Sequence, residues 1–130
     1  MKKALLISLL ALVGTIPSAA FDVSALGPRV VAYVDDRRLA ELAAESRVVL
    51  NFAADWCPSC QAAFRDIQRN FRQIPDGVTL VFVDYDEARA LRTRYGVTTQ
   101  HTFVSLDSRA NKKDIWVGSR TLAAILDRLD

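Results

Sequence analysis

Cys57 and Cys60 are the two cysteines of the chain, and two residues separate them. A thiolate is the species that attacks a disulfide, and two thiols at this spacing can cycle between dithiol and disulfide. A bridge between them closes a very small loop and constrains the unfolded chain little, so a purely structural staple explains the pair poorly. The pair lies in the segment Trp56-Cys57-Pro58-Ser59-Cys60, between a compact apolar run at 48–53 and a helix-like stretch. A helix N-terminus carries unpaired backbone N–H groups and the positive end of the dipole. A thiolate there is stabilised, and its pKa falls below the free value of ~8.5. Cys57 is expected at the exposed end, as the nucleophile. Cys60, one turn on, is placed to resolve the mixed disulfide. Pro58 suits the first helical turn, where its missing N–H costs nothing. Trp56 is positioned to shield one side of the sulfur. Ser59, with Pro58, fills the gap between the cysteines, and this dipeptide does not settle whether the pair reduces or oxidises.

These side chains need a scaffold, and the pattern around them supplies one. Residues 48–53 read as a strand buried on both faces. Residues 58–74 set Ala63, Phe64, Ile67, Phe71 and Ile74 on one side of a helix, which Pro75 and Gly77 stop. Upstream, 29–34 reads as a first strand, Asp35-Asp36 as a cap, and 37–46 as a helix with Leu39, Leu42 and Ala43 at helical spacing. Downstream, 78–83 is a further buried strand and 86–94 a short helix ending before Gly96. Residues 102–106 and 114–117 read as a hairpin joined by the polar turn 107–113. A last helix starts from Gly118-Ser119, with Leu122, Ile125, Leu126 and Leu129 on its apolar side. The order β-α-β-α-β-α-β-β-α predicts an α/β fold with helices on both faces of a mixed sheet.

The bulk numbers fit one such domain. The chain has 130 residues, 51% hydrophobic and 25% charged, which is enough for a core and argues against disorder. The first twenty residues read as a secretory signal peptide. Lys2 and Lys3 precede an apolar run at 4–13, Gly14 and Pro17 break it, and Ser18-Ala19-Ala20 offers small residues for cleavage before Phe21. The run is shorter than the ~20 apolar residues that span a bilayer; an uncleaved anchor or a buried helix is the plainer alternative. The expected organisation is a signal peptide at 1–20 and a domain at 21–130, acting in the periplasm or outside the cell. Seventeen basic residues face fifteen acidic ones, and Lys2 and Lys3 are the excess. The remaining domain is neutral, with no electrostatic case for nucleic acid or anionic lipid.

The segment Val48-Val49-Leu50-Asn51-Phe52-Ala53-Ala54-Asp55-Trp56-Cys57-Pro58-Ser59-Cys60 resembles the active-site strand and turn of the thioredoxin superfamily. Tyr95-Gly96-Val97 is similar to the approach to that family's second active-site loop, and Val117-Gly118 to the glycine before its last helix. The resemblance spans the whole expected mature chain. It implies a three-layer thioredoxin-like fold with four to five strands. It also implies a redox-active Cys57–Cys60 disulfide with no other cofactor, protein disulfide or thiol substrates, and a separate electron donor or acceptor, a membrane protein among the candidates.

Three positions depart from the cytosolic pattern. Asn51 stands six residues before Cys57, where those proteins carry a buried aspartate, and their accompanying lysine is Leu80 here. Asparagine cannot relay a proton to Cys60, and the joint loss leaves no unpaired buried charge. Exported, reductase-type relatives resemble this chain at Asn51, which points to a reductase of protein disulfides. His101, the one histidine of the chain, takes the place of the family's cis-proline. A cis peptide before a non-proline residue costs ~2.5–4 kcal/mol, so the Gln100–His101 bond is either trans with an altered loop, or strained. Its ring would face the sulfurs, as a cation stabilising the Cys57 thiolate or as a general base for Cys60. A loop histidine that merely packs is the plainer reading. Arg65 replaces the proline that kinks the helix in the family.

Other polar positions carry less. Asp55 reads as a solvated turn acid, Asp84-Tyr85-Asp86-Glu87 as a strand end and cap, and the arginines at 65, 69, 72, 89, 92 and 94 as solvated helix faces. No Gly-rich phosphate loop is present. A second function remains open: a metal or iron–sulfur module in which Cys57, Cys60 and His101 supply three ligands and a fourth is missing. A third is a binding or chaperone role on the same scaffold, since fold alone does not prove function.

Overall fold

The computed structural model describes residues 21–130; the expected signal peptide lies outside the described residues. In chain order the elements are β1 (Val30–Ala32), α1 (Asp36–Glu45), β2 (Arg47–Ala53), α2 (Pro58–Asn70), β3 (Val78–Asp84), α3 (Arg89–Tyr95), β4 (Thr102–Leu106), β5 (Lys112–Val117) and α4 (Leu122–Leu126). The strands form one mixed sheet in the order β1-β3-β2-β4-β5. β1, β3 and β2 run parallel, joined by helical crossovers, while β4 and β5 add antiparallel neighbours.

β2 lies in the middle because it is apolar on both faces, and the two-residue period of a strand divides its side chains between two cores. Val49 and Ala53 join Leu80, Phe82, Phe103, Ile67 and Ile125 on the side of α2 and α4. Val48, Leu50 and Phe52 join Leu39, Leu42, Val81, Leu91 and Tyr95 on the side of α1 and α3. The result is the expected three-layer α/β sandwich with a five-stranded sheet.

The helix starts follow local chemistry. The Asp35 carboxylate accepts from the Arg38 amide at 2.7 Å and caps α1, as an acidic N-cap should. The Thr121 hydroxyl caps α4 by accepting from the Ala124 amide at 3.1 Å. The Asp66 carboxylate of α2 accepts from the Leu122 amide at 2.7 Å, tying α2 to the start of α4.

Several boundaries differ from the periodicity. β1 has three residues, because the chain leaves the sheet before Val34, which is 70% exposed. α2 ends at Asn70, and Phe71–Gln73 continues as one 3-10 turn. Residues 85–87 form a turn, so α3 starts only at Arg89. The hairpin's second strand begins two residues early, at Lys112. The last helix starts at Leu122 rather than at Gly118-Ser119. Gly118 has φ +101°, a conformation that turns the chain and that glycine reaches readily. Ser119 accepts a bond from the Trp116 indole at 3.0 Å and so lies outside the helix.

Candidate functional site

The site forms where central β2 runs into α2. After Ala53 the chain turns, and the Cys57 amide donates to the Ala54 carbonyl at 3.2 Å. Cys57 is then the N-cap of α2, with Pro58 in the first turn. Its Sγ accepts from the Cys60 amide at 3.2 Å, so the sulfur occupies the position of a capping oxygen. Cys57 and Cys60 are joined as a disulfide, with Cα atoms 5.2 Å apart. The Ser59 hydroxyl lies 3.6 Å from the Cys57 sulfur.

Burial differs from expectation. Cys57 is 0% and Cys60 2% exposed, whereas Cys57 was expected at the exposed end. The reason is its membership of the apolar cluster that holds Ala54, Phe103 and Trp116. The exposed residue is its neighbour Trp56, at 55%. The Trp56 indole donates to the Asp86 carboxylate at 2.9 Å. Asp86 belongs to the acidic run that the sequence assigned to capping alone. Asp84 does fill that role, accepting from the amides of Asp86 at 3.0 Å and Glu87 at 3.4 Å. Only the three-dimensional meeting of two loops reveals the tie to Trp56. Asp55 is exposed, and its backbone carbonyl accepts from the Gln61 side chain at 2.5 Å.

Asn51 is buried, paired in the sheet with Phe82 on one side and Phe103 on the other. Its Oδ1 has no hydrogen-bond partner. Leu80 is 1% exposed and apolar, so no lysine complements this position. Arg65 lies within α2, whose helix is unbroken from Pro58 to Asn70.

His101 occupies the loop that faces the cysteines. No peptide bond among the described residues is cis, and His101 has φ +59°. The altered-loop alternative therefore holds. This left-handed region is uncommon for non-glycine residues, with histidine among those enriched there. The His101 amide donates to the Phe52 carbonyl of β2 at 2.8 Å, and its own carbonyl accepts from Gly118 at 3.4 Å. The ring stands edge-on to Phe103 at 5.3 Å, and Phe103 stacks on Trp116 at 5.6 Å. The residue is 4% exposed, and neither ring nitrogen has a hydrogen-bond partner.

Burial, and then the charge of Arg120, push the His101 pKa below its ordinary 6.5; the Gly118 backbone opposes this weakly without reaching hydrogen-bond geometry. A buried imidazole is thereby held neutral. Of the two chemical roles open to it, proton acceptor suits this ring and cationic partner does not. The ligand atoms of Cys57, Cys60 and His101 lie within 4.8 Å of one another.

The arginines divide. Arg69, Arg72 and Arg89 are exposed, and Arg65 is on the same solvent side of its helix. Arg94 pairs with Asp36 at 3.4 Å. Arg92 instead lies over the Tyr85 ring at 4.4 Å with its Nε buried. The Tyr85 hydroxyl donates to the Thr98 carbonyl at 3.3 Å, so these two side chains brace the loop leading to His101. Nothing in their sequence spacing marks that role.

Fold and site together define a thioredoxin-like domain with its Cys-x-x-Cys pair closed as a disulfide. Residues 30–130 match the Thioredoxin family profile, and the chain belongs to that family. It is 29% identical over 89 residues to Thioredoxin-T of Drosophila melanogaster, covering 67% of this chain and 56% of that protein. It is 30% identical over 66 residues to a thioredoxin-like protein of Fusarium culmorum, covering 48% of this chain and 54% of the other. The chain thus spans about half the length of these relatives. Among solved structures it superposes on Trxlp from Edwardsiella tarda with a TM-score of 0.65 at 24% identity, covering 77% of this chain and 97% of that one. A mutant thioredoxin from Halobacterium salinarum gives a TM-score of 0.65 at 24% identity, covering 77% and 87%. At that identity the structures speak for the fold.

Proposed function

We propose that this protein is an exported thiol–disulfide oxidoreductase that reduces disulfides in protein substrates. The observation that carries the reading is the Cys57 sulfur at the start of α2, bonded to Cys60 and accepting the Cys60 amide at 3.2 Å. A thiolate at that place receives a backbone N–H and the helix dipole, which favour the attacking anion.

In the reduced enzyme the Cys57 thiolate attacks one sulfur of the substrate disulfide, and the other sulfur leaves as a thiolate that takes up a proton. The Cys60 thiol gives up its proton and attacks Cys57 Sγ, releasing the second substrate thiol. Two electrons have passed from the enzyme to the substrate, and the Cys57–Cys60 disulfide has re-formed. The neutral His101 ring, buried beside both sulfurs, is suited to accept the Cys60 proton, a role that Asn51 cannot fill. Trp56, held by Asp86, offers the exposed apolar surface next to the pair.

The reducing direction draws support from Asn51, at which exported, reductase-type relatives resemble this chain. Export draws support from the basic, apolar and small-residue order of residues 1–20. An electron donor, a membrane protein among the candidates, must then recharge the disulfide. Insulin reduction with a thiol donor tests the chemistry: Cys57→Ser is expected to lose all turnover, and Cys60→Ser to trap a mixed disulfide. Full activity in Cys57→Ser overturns the reading. The equilibrium of the Cys57–Cys60 couple with glutathione tests direction, because a reductase couple stays oxidised in buffers that reduce an oxidant. Mass spectrometry of exported protein, expected to begin at Phe21, tests cleavage.

A further inference from the structure

We propose that the reduced site is a three-coordinate copper(I) site, with Cys57 Sγ, Cys60 Sγ and one ring nitrogen of His101 as its ligands. The inference goes beyond disulfide exchange and does not depend on its direction.

Three donor atoms come from two separate elements, the start of α2 and the loop before β4, and lie within 4.8 Å of one another. All three residues are buried, at 0%, 2% and 4% exposure. With metal–sulfur bonds of ~2.3 Å and metal–nitrogen bonds of ~2.0–2.1 Å, a planar trigonal ion holds its donors roughly 4 Å apart. Reduction frees the sulfurs to separate towards that distance. The imidazole needs a movement on the order of 1 Å by the same bond lengths.

The histidine supplies the independent sign of a ligand. Buried polar atoms nearly always have a hydrogen-bond partner, yet both ring nitrogens of His101 have none. A metal bond satisfies one of them.

The donor set selects the ion. Two thiolates and an imidazole are soft to borderline and suit copper(I) or zinc, not hard cations. Structural zinc takes four protein ligands, and catalytic zinc keeps an open fourth position. Among the described residues the cluster offers three ligands and no fourth, and its burial disfavours a water in that place. Copper(I) is complete with three. A copper(I) dithiolate carries one net negative charge. It lies at the N-terminus of the thirteen-residue α2 and within the field of Arg120, both of which favour an anion. Binding converts the dithiol and one copper(I) ion into the complex and releases two protons, with no electron transfer. The bound form has no free thiolate, so copper(I) also blocks disulfide exchange.

The test is anaerobic titration of the fully reduced protein with copper(I) against bicinchoninate as competing chelator, followed by X-ray absorption at the copper edge. One copper per chain is expected, with two sulfur scatterers and one nitrogen. His101→Asn, which removes the imidazole while suiting the left-handed backbone, is expected to weaken copper binding roughly tenfold or more. Cys60→Ser is expected to lose it. Unchanged affinity in folded His101→Asn, a purely sulfur-ligated copper, preferential retention of zinc, or a coloured iron–sulfur product each overturns the proposal. If His101→Asn does not fold, the presence or absence of the nitrogen scatterer in the parent protein decides.

Discussion

The indole N–H of Trp56 donates to the carboxylate of Asp86 at 2.9 Å, fastening the turn before Cys57 to the loop that follows β3. Both partners are exposed, so the bond positions more than it stabilises. Asp86→Ala is expected to lower unfolding free energy by only about 0.5–1.5 kcal/mol while leaving the indole free to turn. In a Trp116→Phe background, Trp56 fluorescence anisotropy should fall and insulin reduction should slow. An unchanged anisotropy would refute the assignment of Asp86 as the anchor.

His101 sets a pH dependence. Burial, followed by the charge of Arg120, lowers its pKa in the folded disulfide form from the ordinary 6.5. The unfolded chain therefore binds the proton more readily than the native one. Its contribution to stability is complete above about pH 6.5 and is lost as pH falls through and below that value. Urea unfolding of the oxidised protein at pH 7.5 and 5 should show a drop that is smaller in His101→Asn. Arg120→Gln should raise the imidazole pKa, read directly by NMR titration.

Asn51 is a buried amide whose oxygen has no partner, flanked in the sheet by Phe82 and Phe103. Replacing it by leucine removes an unsatisfied group at similar volume and is expected to cost less than about 1 kcal/mol, or to stabilise. Asn51→Asp places a buried charge where Leu80 offers no cation to meet it, and should cost roughly 2–5 kcal/mol near pH 8, less once the carboxyl is protonated. Denaturant midpoints of the two variants at pH 8 and pH 5 check both signs.

Restoring a proline at the loop is expected to harm this chain. Proline fixes φ near −65°, while His101 has φ +59° and uses its amide to reach Phe52 at 2.8 Å. His101→Pro should destabilise by about 2–4 kcal/mol. A gain in denaturant midpoint would mean that the loop rebuilds around the ring.

Much of the fold was legible because β2 and its neighbours obey strong patterns. Residues 48–53 read as a strand buried on both faces and the Cys-x-x-Cys as its junction with the next helix, and β2 and α2 have that arrangement. Asp35 marked the start of α1 through backbone chemistry that needs no tertiary partner, whereas α2 ended at Asn70, ahead of Pro75. The start of α4 was misplaced because Gly118-Ser119 serves a turn whose Ser119 binds Trp116, a contact outside the helix. The burial of Cys57, the tie from Trp56 to Asp86 and the brace from Arg92 through Tyr85 to Thr98 were hidden for the same reason. Each depends on loops that meet only after folding. His101 stood out because it takes the place of the family's cis-proline, but its left-handed backbone and bare nitrogens follow from the loop that carries it.

The Asp66 bond to the Leu122 amide has a mechanical consequence. It ties the mid-section of α2 to the start of α4, so a displacement of the helix bearing Cys60 is shared with α4. With the loop at Thr98 held by the Tyr85 hydroxyl, the sulfur pair sits between two fastened elements, as a blade sits between the jaws of a vice.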